Sequence, residues 1–271
     1  MSESASERFR VKNKAPKLTD DEAAAKALSG DDKEDGEKKL FDLGEEIAEL
    51  QDKFYAEHDR KLLVVLQGMD TSGKDGTVKG VFGHIDPQGI RTVPFRAPSV
   101  EEKEHDFLWR VHAQTPRKGE VVIFNRSHYE DVLVPYVHGD INTKEWNRRL
   151  QHICEFERLL VETGTIVLKF FLHISEDEQR QRLQERLDDP LKHWKFDPQD
   201  LAERKLWKEY LKAYAEVIRE TDADIAPWYV IPANSKPHRN LAIASVVLEA
   251  MRDMKLAYPP GNPDFATLRV R

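Results

Sequence analysis

The feature that most constrains this chain is a short apolar run that leads directly into a glycine-rich turn and a lysine. Residues 62–66 read LLVVL, a pattern typical of a strand buried on both faces. Residues 68–74 then read GMDTSGK, which has the spacing G-x-x-x-x-G-K. Glycines allow the positive φ angles and the close approach by which backbone N–H groups at a helix start surround a phosphate. The sequence therefore predicts a strand, a phosphate-binding loop (P-loop) and a helix beginning near Lys74.

The chemistry of this loop suggests a role for each of its side chains. We predict that Lys74, expected to be exposed on the loop, adds positive charge to the terminal phosphates. A serine or threonine that binds Mg²⁺ usually follows this lysine, but Asp75 stands there. Asp70 offers a carboxylate instead, so we predict that it binds the metal, with a loop-stabilising Asx turn as the alternative. The other predicted phosphate-binding residues of the loop and helix start are Gly68, Met69, Thr71, Ser72, Gly73, Asp75, Gly76 and Thr77. The alternative interpretation is a strand-to-helix turn with no ligand.

Four further apolar runs alternate with helical patterns along the chain. The runs lie at residues 121–124, 166–172 and 228–231, with a weaker one at 91–95. Apolar residues spaced by three and four between residues 38 and 58 predict a helix before the first strand. Capping boxes predict helix starts after Ser99 and after Ser175. This alternation predicts an α/β fold with a mostly parallel five-stranded sheet, in which ligands bind at the carboxyl ends of the strands.

Composition limits the kinds of protein to which the chain can belong. The formal net charge of −7 argues against a nucleic-acid binder, which needs a basic face. No apolar run approaches the length of a membrane span, and residues 1–14 have no apolar region typical of a secretory signal. The single cysteine, Cys154, cannot form an internal disulfide, so we expect a cytoplasmic protein. Residues 1–36 are rich in polar and charged residues and are predicted to form a flexible polar arm, which leaves residues 37–271 as one domain.

Several longer segments identify a family. The segments LLVVLQGMDTSGKDGTVK, HDFLWRVH, VVIFNRSHYEDVLV and RLDDPLKHWKFDPQD resemble the polyphosphate kinase 2 family, in the family's order, from about residue 40 to residue 255. The resemblance implies a three-layer, P-loop kinase-like fold similar to that of thymidylate kinases. It also implies phosphoryl transfer between inorganic polyphosphate and nucleoside phosphates with Mg²⁺, in a homodimer or homotetramer.

The resemblance also assigns roles to the residues that follow the third strand. Arg126 is predicted to grip phosphate oxygens, with pairing to Glu130 as the alternative. Glu130 matches a position that is acidic in members accepting AMP as well as ADP, and it is predicted to be catalytic. Many family members have aspartate at Asn125, so direct metal binding by the asparagine is in doubt. Asp131 is either a second metal ligand or an ordinary helix cap, and His128 is either a base or a loop histidine whose hydrogen bonds are satisfied.

A second basic segment is predicted to be a helical lid over the phosphates, at about residues 176–205. Arg182 and Arg186 fall four residues apart on one helical face, and Pro190 ends that helix. We predict that Arg186 neutralises charge on the transferred phosphoryl group and that three further lid residues bind phosphate: Arg182, Lys192 and Lys195. Nearby acidic residues leave a solvated charged helix as the alternative. Trp194 is interpreted as a packing residue in preference to a base-stacking one.

The sequence thus predicts a polyphosphate-dependent nucleotide kinase that converts AMP to ADP and ADP to ATP. Its predicted catalytic residues are Asp70, Lys74, Arg126, Glu130 and Arg186, with Mg²⁺ as cofactor. One alternative is an ATP-dependent nucleotide kinase of the thymidylate-kinase type, and another is a nucleotide-binding switch. The number of cations in the lid favours a kinase over a switch.

Overall fold

A computed structural model describes residues 3–12, 14–26, 28 and 33–270 of the chain. Its centre is a five-stranded sheet in the order β2-β3-β1-β4-β5, with every neighbouring pair parallel. The strands are β1 (Lys61–Gln67), β2 (Ile90–Pro94), β3 (Val121–Asn125), β4 (Thr165–His173) and β5 (Trp228–Pro232). All five predicted strands are confirmed, including the weak second one, which lies one residue earlier than expected.

Twelve α-helices are assigned within the described ranges, and they cover both faces of this sheet. They are α1 (Ala5–Phe9), α2 (Asp20–Ala24), α3 (Lys33–Glu57), α4 (Lys74–Phe82), α5 (Val100–Glu104), α6 (Trp109–His112), α7 (Glu130–Val137), α8 (Thr143–Glu162), α9 (Glu176–Asp188), α10 (Gln199–Arg204), α11 (Trp207–Thr221) and α12 (Lys236–Asp253). Helices α3 and α4 pack against α12, whereas α7, α8 and α11 pack against one another. Residues 62–66 of β1 are fully buried between these two layers, as an apolar central strand requires.

The parallel arrangement places the ends of four strands at one edge of the sheet. In the register, Val64 of β1 lies opposite Ile123 of β3 and Leu168 of β4, so these strands end at similar heights. The predicted phosphate loop follows β1, and Asn125 ends β3 at the same edge. The first turn of α9 follows β4, and the start of α12 follows β5. This edge therefore collects the basic and acidic residues of four separate connections.

The prediction of a flexible polar arm at residues 1–36 falls partly outside the described residues (1, 2, 13, 27 and 29–32), but at residues 3–12 the chain is packed on the domain. Ala5, Phe9 and Val11 are buried against the domain core, and the Val11 amide donates to the Trp228 carbonyl of β5 at 2.9 Å. Further along, the Asn234 amide donates to the Ala23 carbonyl at 3.2 Å. Apolar residues between the charged ones thus attach residues 3–12 to the edge strand, where they cover its unpaired backbone groups.

The predicted lid segment folds into α9, a 3₁₀ turn at Pro190–Lys195 and α10. Ser175 caps α9 as predicted, since its hydroxyl accepts from the Glu178 amide at 3.3 Å. The reciprocal half of that capping box is absent, because the Glu178 carboxylate binds Arg182 at 2.7 Å and the Ser175 amide donates to Asn234. The capping box at Ser99 is complete. Within the described ranges, no helix combines the length and apolar character needed to cross a bilayer.

Candidate active site

The loop between β1 and α4 has the backbone of a phosphate cradle. Gly68 has a φ of +152° and Gly73 a φ of +100°, while Thr71 adopts a φ of +64°. A Cβ atom at Gly68 would lie 2.6 Å from the Leu172 carbonyl oxygen, so only glycine fits there. Helix α4 begins at Lys74 as predicted, directly after the left-handed N-cap residue Gly73. The geometry is that of an anion site at a helix start.

Three hydroxyl groups in this loop support its assignment as a ligand site. The side-chain oxygens of Thr71, Ser72 and Thr77 are buried and make no hydrogen bond with any described residue. Buried polar atoms in native proteins nearly always have a partner, so unsatisfied ones call for an explanation. Three of them around one glycine-rich turn are the arrangement expected of a site that binds phosphate oxygens.

Lys74 is buried, which corrects the prediction of an exposed loop lysine. Its ammonium group donates to the carbonyl oxygens of Gly68 at 2.7 Å and Met69 at 3.2 Å. Burial, together with the nearby Arg126 guanidinium, lowers the pKa of Lys74 to about 8. The lysine folds back over the loop because these carbonyls are the acceptors within its reach. A phosphate in the loop would offer it a stronger, charged acceptor.

Arg126 joins the end of β3 to the phosphate loop. Its backbone is left-handed, with a φ of +62°. Its guanidinium donates to the Asp70 carboxylate at 2.5 Å and lies 3.6 Å from Glu130. Although burial opposes the shift, the Glu130 and Asp70 carboxylates raise the pKa of Arg126. Arg126 therefore makes the predicted alternative contact with Glu130, and also a second contact with the predicted metal ligand.

Glu130 stands in the first turn of α7, close to both cations. Burial raises its pKa, and the charges of Arg126 and Lys74 oppose this effect. The neighbouring Asp131 points elsewhere: it accepts from the Arg110 guanidinium at 2.9 Å, and burial raises its pKa despite that contact. Asp131 is thus an ion-pair partner outside the phosphate cavity, which argues against the predicted option of a second metal ligand.

Asp75 and Asn125 occupy the position between the loop and β3. The Asn125 amide nitrogen donates to the Asp75 carboxylate at 2.6 Å. This hydrogen bond joins two unusual residues. Asp75 stands where a P-loop usually has serine or threonine, and Asn125 stands where many family members have aspartate. The amide and the carboxylate form one connected pair at the mouth of the loop.

The lid arginines make contacts that the sequence did not indicate. Arg182 is buried and donates to the carbonyl oxygens of Thr71 at 2.8 Å, Ala233 at 2.7 Å and Asn234 at 2.7 Å. It therefore braces the phosphate loop against the connection after β5, in addition to lining the cavity. Arg186 donates to the Lys195 carbonyl at 2.9 Å and lies 3.4 Å from Asp200. Burial, and then the nearby Asp70 charge, raises the pKa of Asp200 to about 6.

The two lid lysines are nearer the surface. The Lys192 ammonium pairs with Asp189 at 3.0 Å, and that of Lys195 lies 4.8 Å from the ring centroid of Trp194. Trp194 is 79% exposed, which contradicts the interpretation of this residue as a packing residue. The described lid thus presents two cations and an exposed aromatic ring to the cavity.

Sequence reasoning missed Lys236 and Arg239, which follow β5. Arg239 is 2% exposed and donates to the Ser72 carbonyl at 3.3 Å, and none of the ion pairs between described residues includes it. Burial and the like charge of Arg182 lower the pKa of Arg239 to about 10. The signal available was position alone, since the carboxyl end of β5 meets the same edge of the sheet as the phosphate loop.

These elements enclose a cavity of about 680 Å³. Nine cationic and five carboxylate side chains line it: Lys74, Arg96, Arg126, Arg182, Arg186, Lys192, Lys195, Lys236 and Arg239, with Asp70, Asp75, Glu185, Asp197 and Asp200. It therefore collects the predicted residues Asp70, Lys74, Arg126 and Arg186 in one place. Glu130 lies behind Arg126 and outside this lining.

The carboxylates fit one kind of metal site. In the described part of the chain, no three His, Cys, Asp or Glu side chains form a group that could hold a metal by themselves. Mg²⁺ usually binds proteins through one or two carboxylates and completes its shell with substrate phosphates and water. Asp70 and Asp75 both line the cavity beside the phosphate loop, so the residues fit Mg²⁺ that enters with a phosphate chain.

His128 belongs to a separate, buried cluster behind the loop. Its ring lies 3.3 Å from Glu157, which also accepts from Tyr129 at 2.8 Å and from Lys169 at 2.6 Å. His128 and Lys169 have no exposed surface. Burial away from the cavity argues against the predicted base, but the alternative of a histidine with all hydrogen bonds satisfied is met only in part, because Nδ1 of His128 has no partner among the described residues.

Comparison with known proteins gives a single result. The family model described as Polyphosphate kinase 2 matches residues 30–259. The chain is 51% identical over 228 residues to an AMP/ADP-polyphosphate phosphotransferase of Meiothermus ruber, covering 84% of this chain and 85% of the relative. It is 40% identical over 231 residues to an ADP-polyphosphate phosphotransferase of Rhodopseudomonas palustris, covering 81% and 80% respectively.

A solved structure agrees with these sequence relatives. The polyphosphate kinase 2 of Arthrobacter aurescens TC1 superposes with a TM-score of 0.93 at 42% identity, over 97% of this chain and 94% of that one. The two chains therefore share one fold over nearly their full length. On these matches, the protein is a phosphotransferase and belongs to the polyphosphate kinase 2 family.

Proposed function

We propose that the protein transfers phosphoryl groups between inorganic polyphosphate and nucleoside phosphates, converting AMP to ADP and ADP to ATP. The observation that carries this proposal is the cationic lining of the cavity, which extends from Arg96 after β2 to Lys236 and Arg239 after β5. Nine cations are more than one triphosphate needs, whereas a linear polyphosphate can use all of them. Names of relatives that act on AMP, ADP and polyphosphate support the same substrates.

The reaction requires alignment and charge neutralisation more than covalent participation of the protein. A terminal oxygen of the nucleotide phosphate attacks the terminal phosphorus of polyphosphate. The bond from that phosphorus to the next bridging oxygen breaks, and the shortened polyphosphate leaves with that oxygen. The loop amides and Lys74 hold the donor phosphate, while Arg126 and Arg186 neutralise charge on the phosphoryl group in transit. Mg²⁺ near Asp70 supplies further neutralisation of phosphate charge when bound.

The contacts of Arg126 and Arg186 suggest how these groups become available. Arg126 pairs with Asp70 and Glu130, and Arg186 pairs with Asp200 and the Lys195 carbonyl. Each arginine can exchange a carboxylate for a phosphate oxygen without losing a charged partner. Closure of the lid segment over the donor would exclude water and strengthen these contacts.

One assay tests the proposal against its rivals. The purified protein is incubated with Mg²⁺, AMP or ADP, and either polyphosphate or ATP as the donor, and products are separated by chromatography. We expect ADP and ATP to form from polyphosphate alone. Transfer from ATP but not from polyphosphate would support an ATP-dependent nucleotide kinase instead. Slow hydrolysis without transfer would support a nucleotide-binding switch.

A matched variant shows whether the product arises at this site. Lys74→Ala should reduce transfer by about 10²–10³-fold, the usual cost of losing one group that stabilises the transition state. Because the Lys74 ammonium also donates to two loop carbonyls, the thermal unfolding of the Lys74→Ala variant is compared with that of the wild type. The proposed homodimer or homotetramer is checked in the same preparations by sedimentation.

A further inference from the structure

Trp194 is a large aromatic side chain that faces a strongly charged cavity. It lies in the 3₁₀ turn of the lid segment, lines the cavity and is 79% exposed. The next large apolar residue of this turn, Leu191, is 84% exposed but does not line the cavity. A single exposed side chain needs no explanation, so the informative feature of Trp194 is that its ring faces the cavity of the phosphate-binding residues.

No other aromatic ring among the described lining residues is open to a ligand. Phe95 also lines the cavity, but it is only 6% exposed. Its ring packs edge to face on Phe124, with centroids 4.8 Å apart, and the Arg110 guanidinium lies 5.5 Å from its centroid. Trp194 therefore provides the accessible ring face of this cavity.

The chemistry of the two substrates distinguishes what this ring can bind. Polyphosphate presents oxygen atoms only, and the lysines and arginines of the cavity satisfy them. A nucleobase presents a flat aromatic face, and stacking on a protein aromatic ring is a common way to hold one. The Lys195 ammonium lies over one face of the Trp194 ring, 4.8 Å from its centroid, so it places a phosphate-binding charge at the ring and leaves the opposite face for a base.

We propose that Trp194 is the stacking platform for the base of the nucleotide substrate. The lid would then hold the nucleoside by a ring face and its phosphates by the adjoining cations. The inference rests on the proposed function in requiring a nucleotide substrate. Stacking reads no hydrogen-bond pattern, so adenine and guanine nucleotides should depend on Trp194 to the same degree.

Binding of AMP and ribose 5-phosphate to the whole protein, measured by calorimetry, tests this inference. The two ligands carry the same sugar and phosphate, and only AMP has a base. The wild type should bind AMP more tightly, and Trp194→Ala should reduce that preference by about 10-fold. Trp194→Phe, which keeps an aromatic face, should retain the preference to within about 3-fold.

Two controls separate a stacking role from a structural one. Leu191→Ala removes an equally exposed apolar side chain from the same turn and should bind both ligands as the wild type does. The KM for polyphosphate should change less than about 2-fold in Trp194→Ala, because phosphate binding does not use the ring. Nucleotide should also change the tryptophan fluorescence of the wild type, and this change should be absent in Trp194→Phe.

Distinct results would overturn the inference. An unchanged preference for AMP over ribose 5-phosphate in Trp194→Ala excludes stacking, as does an equal loss for both ligands. Trp194→Ala protein that binds normally but sediments as a smaller species would assign the ring to an interface between copies. The binding measurements do not depend on catalysis. If polyphosphate does not act as a donor, the proposed function is refuted, but the binding of AMP still tests the stacking role of Trp194.

Discussion

Arg239 lies directly against Gly73, at the point where the phosphate loop enters α4. A Cβ atom added at Gly73 would overlap the guanidinium of Arg239, and Gly73 has a φ of +100°. The buried arginine also donates to the Ser72 carbonyl. A cation from α12 thus supports the loop while it also lines the cavity, and only glycine at position 73 leaves room for it.

This contact predicts that Gly73→Ala damages the loop more than backbone strain alone would. A left-handed residue with a side chain costs about 1–2 kcal/mol, and overlap with Arg239 adds to that. A shift of the loop by an ångström can lower turnover by about 10²-fold. Transfer from polyphosphate to ADP and urea unfolding are measured together.

Gly139→Ala is the matched control for that variant. Gly139 has a φ of +77°, but nothing lies within 4 Å of an added Cβ, so its cost is strain alone. In an Arg239→Ala background, the stability loss from Gly73→Ala should shrink toward that of Gly139→Ala. If Gly73→Ala and Gly139→Ala lose the same free energy of unfolding when Arg239 is present, the contact with Arg239 does not contribute to the effect.

The pKa of Lys74 predicts the alkaline limb of the pH profile. Burial and the Arg126 charge lower this pKa from 10.5 to about 8, so the ammonium form disappears as the pH rises through about 8. Because the charged form is the one that binds phosphate, kcat/KM should fall above that pH. Lys74→Arg keeps its charge throughout, so its residual activity should show no such limb. A profile that stays flat from pH 8 to 10 would contradict this assignment.

The parts of the site that lie within one short segment are predictable from the sequence. Glycine spacing and a lysine after an apolar run require only local geometry, so the strand, the loop and the start of α4 at Lys74 follow directly. Parallel strands then place Arg126 at the same edge without any knowledge of packing. The first inference succeeds because it rests on local backbone constraints, and the second because parallel strands end at one edge of the sheet.

Contacts between distant segments were not predictable. Arg182 has the spacing of a phosphate-binding lid residue, yet its guanidinium donates to Thr71, 111 residues away. Arg239 follows β5, where an arginine in a helix usually faces solvent, but here it is buried. The composition of residues 3–12 is that of a polar arm, because three buried apolar side chains among many polar and charged ones change it little. Burial of a single cation or a short apolar segment depends on the complete fold.

Asp70→Asn should raise the Mg²⁺ concentration needed for transfer. The change removes one formal charge from the proposed metal position and weakens the partner of Arg126, while the size of the side chain is kept. Excess Mg²⁺ should restore part of the rate, because a weaker site still fills by mass action. The initial rate is measured against Mg²⁺ at fixed polyphosphate.

Asp131→Asn serves as the carboxylate control for this titration. Asp131 pairs with Arg110 outside the cavity, so its loss should leave the Mg²⁺ dependence unchanged. An unaltered titration in Asp70→Asn would assign Asp70 to loop structure alone and turn attention to Asp75, which also lines the cavity.

The buried pair of Lys169 and Glu157 predicts a large effect on stability. The Lys169 ammonium donates to Glu157, Tyr129 and the Thr221 carbonyl. The side chains of Lys169 and Glu157 are both buried. Lys169→Met leaves the Glu157 carboxylate buried without its cation and should cost about 3–5 kcal/mol in urea unfolding. The double variant with Glu157→Gln should recover part of that loss. Arg158→Met, which breaks an exposed pair with Glu155, should change little. Equal losses in the two single variants would refute the role of burial.

Glu130 is placed to distinguish acceptors of different length. It stands in the first turn of α7, 3.6 Å from Arg126, where burial raises its pKa and the charges of Arg126 and Lys74 oppose that shift. AMP has one phosphate fewer than ADP, so the two acceptors cannot place all their phosphates at the same depth. A carboxylate that orients Arg126 toward the shorter acceptor matters most when fewer phosphates hold the substrate.

Glu130→Gln keeps the shape of the side chain and removes its charge, so it should impair AMP use more than ADP use. A selective loss of about 1–3 kcal/mol for AMP is the size expected for one misplaced charged contact. The measurement is the ratio of kcat/KM for AMP and ADP with polyphosphate, in wild type and variant. Asp131→Asn, one residue further along α7, should leave the ratio of kcat/KM for AMP and ADP unchanged. If Glu130→Gln lowers kcat/KM for AMP and for ADP by the same factor, Glu130 does not distinguish the two acceptors. A wild type that does not phosphorylate AMP would remove the basis for selectivity at this position.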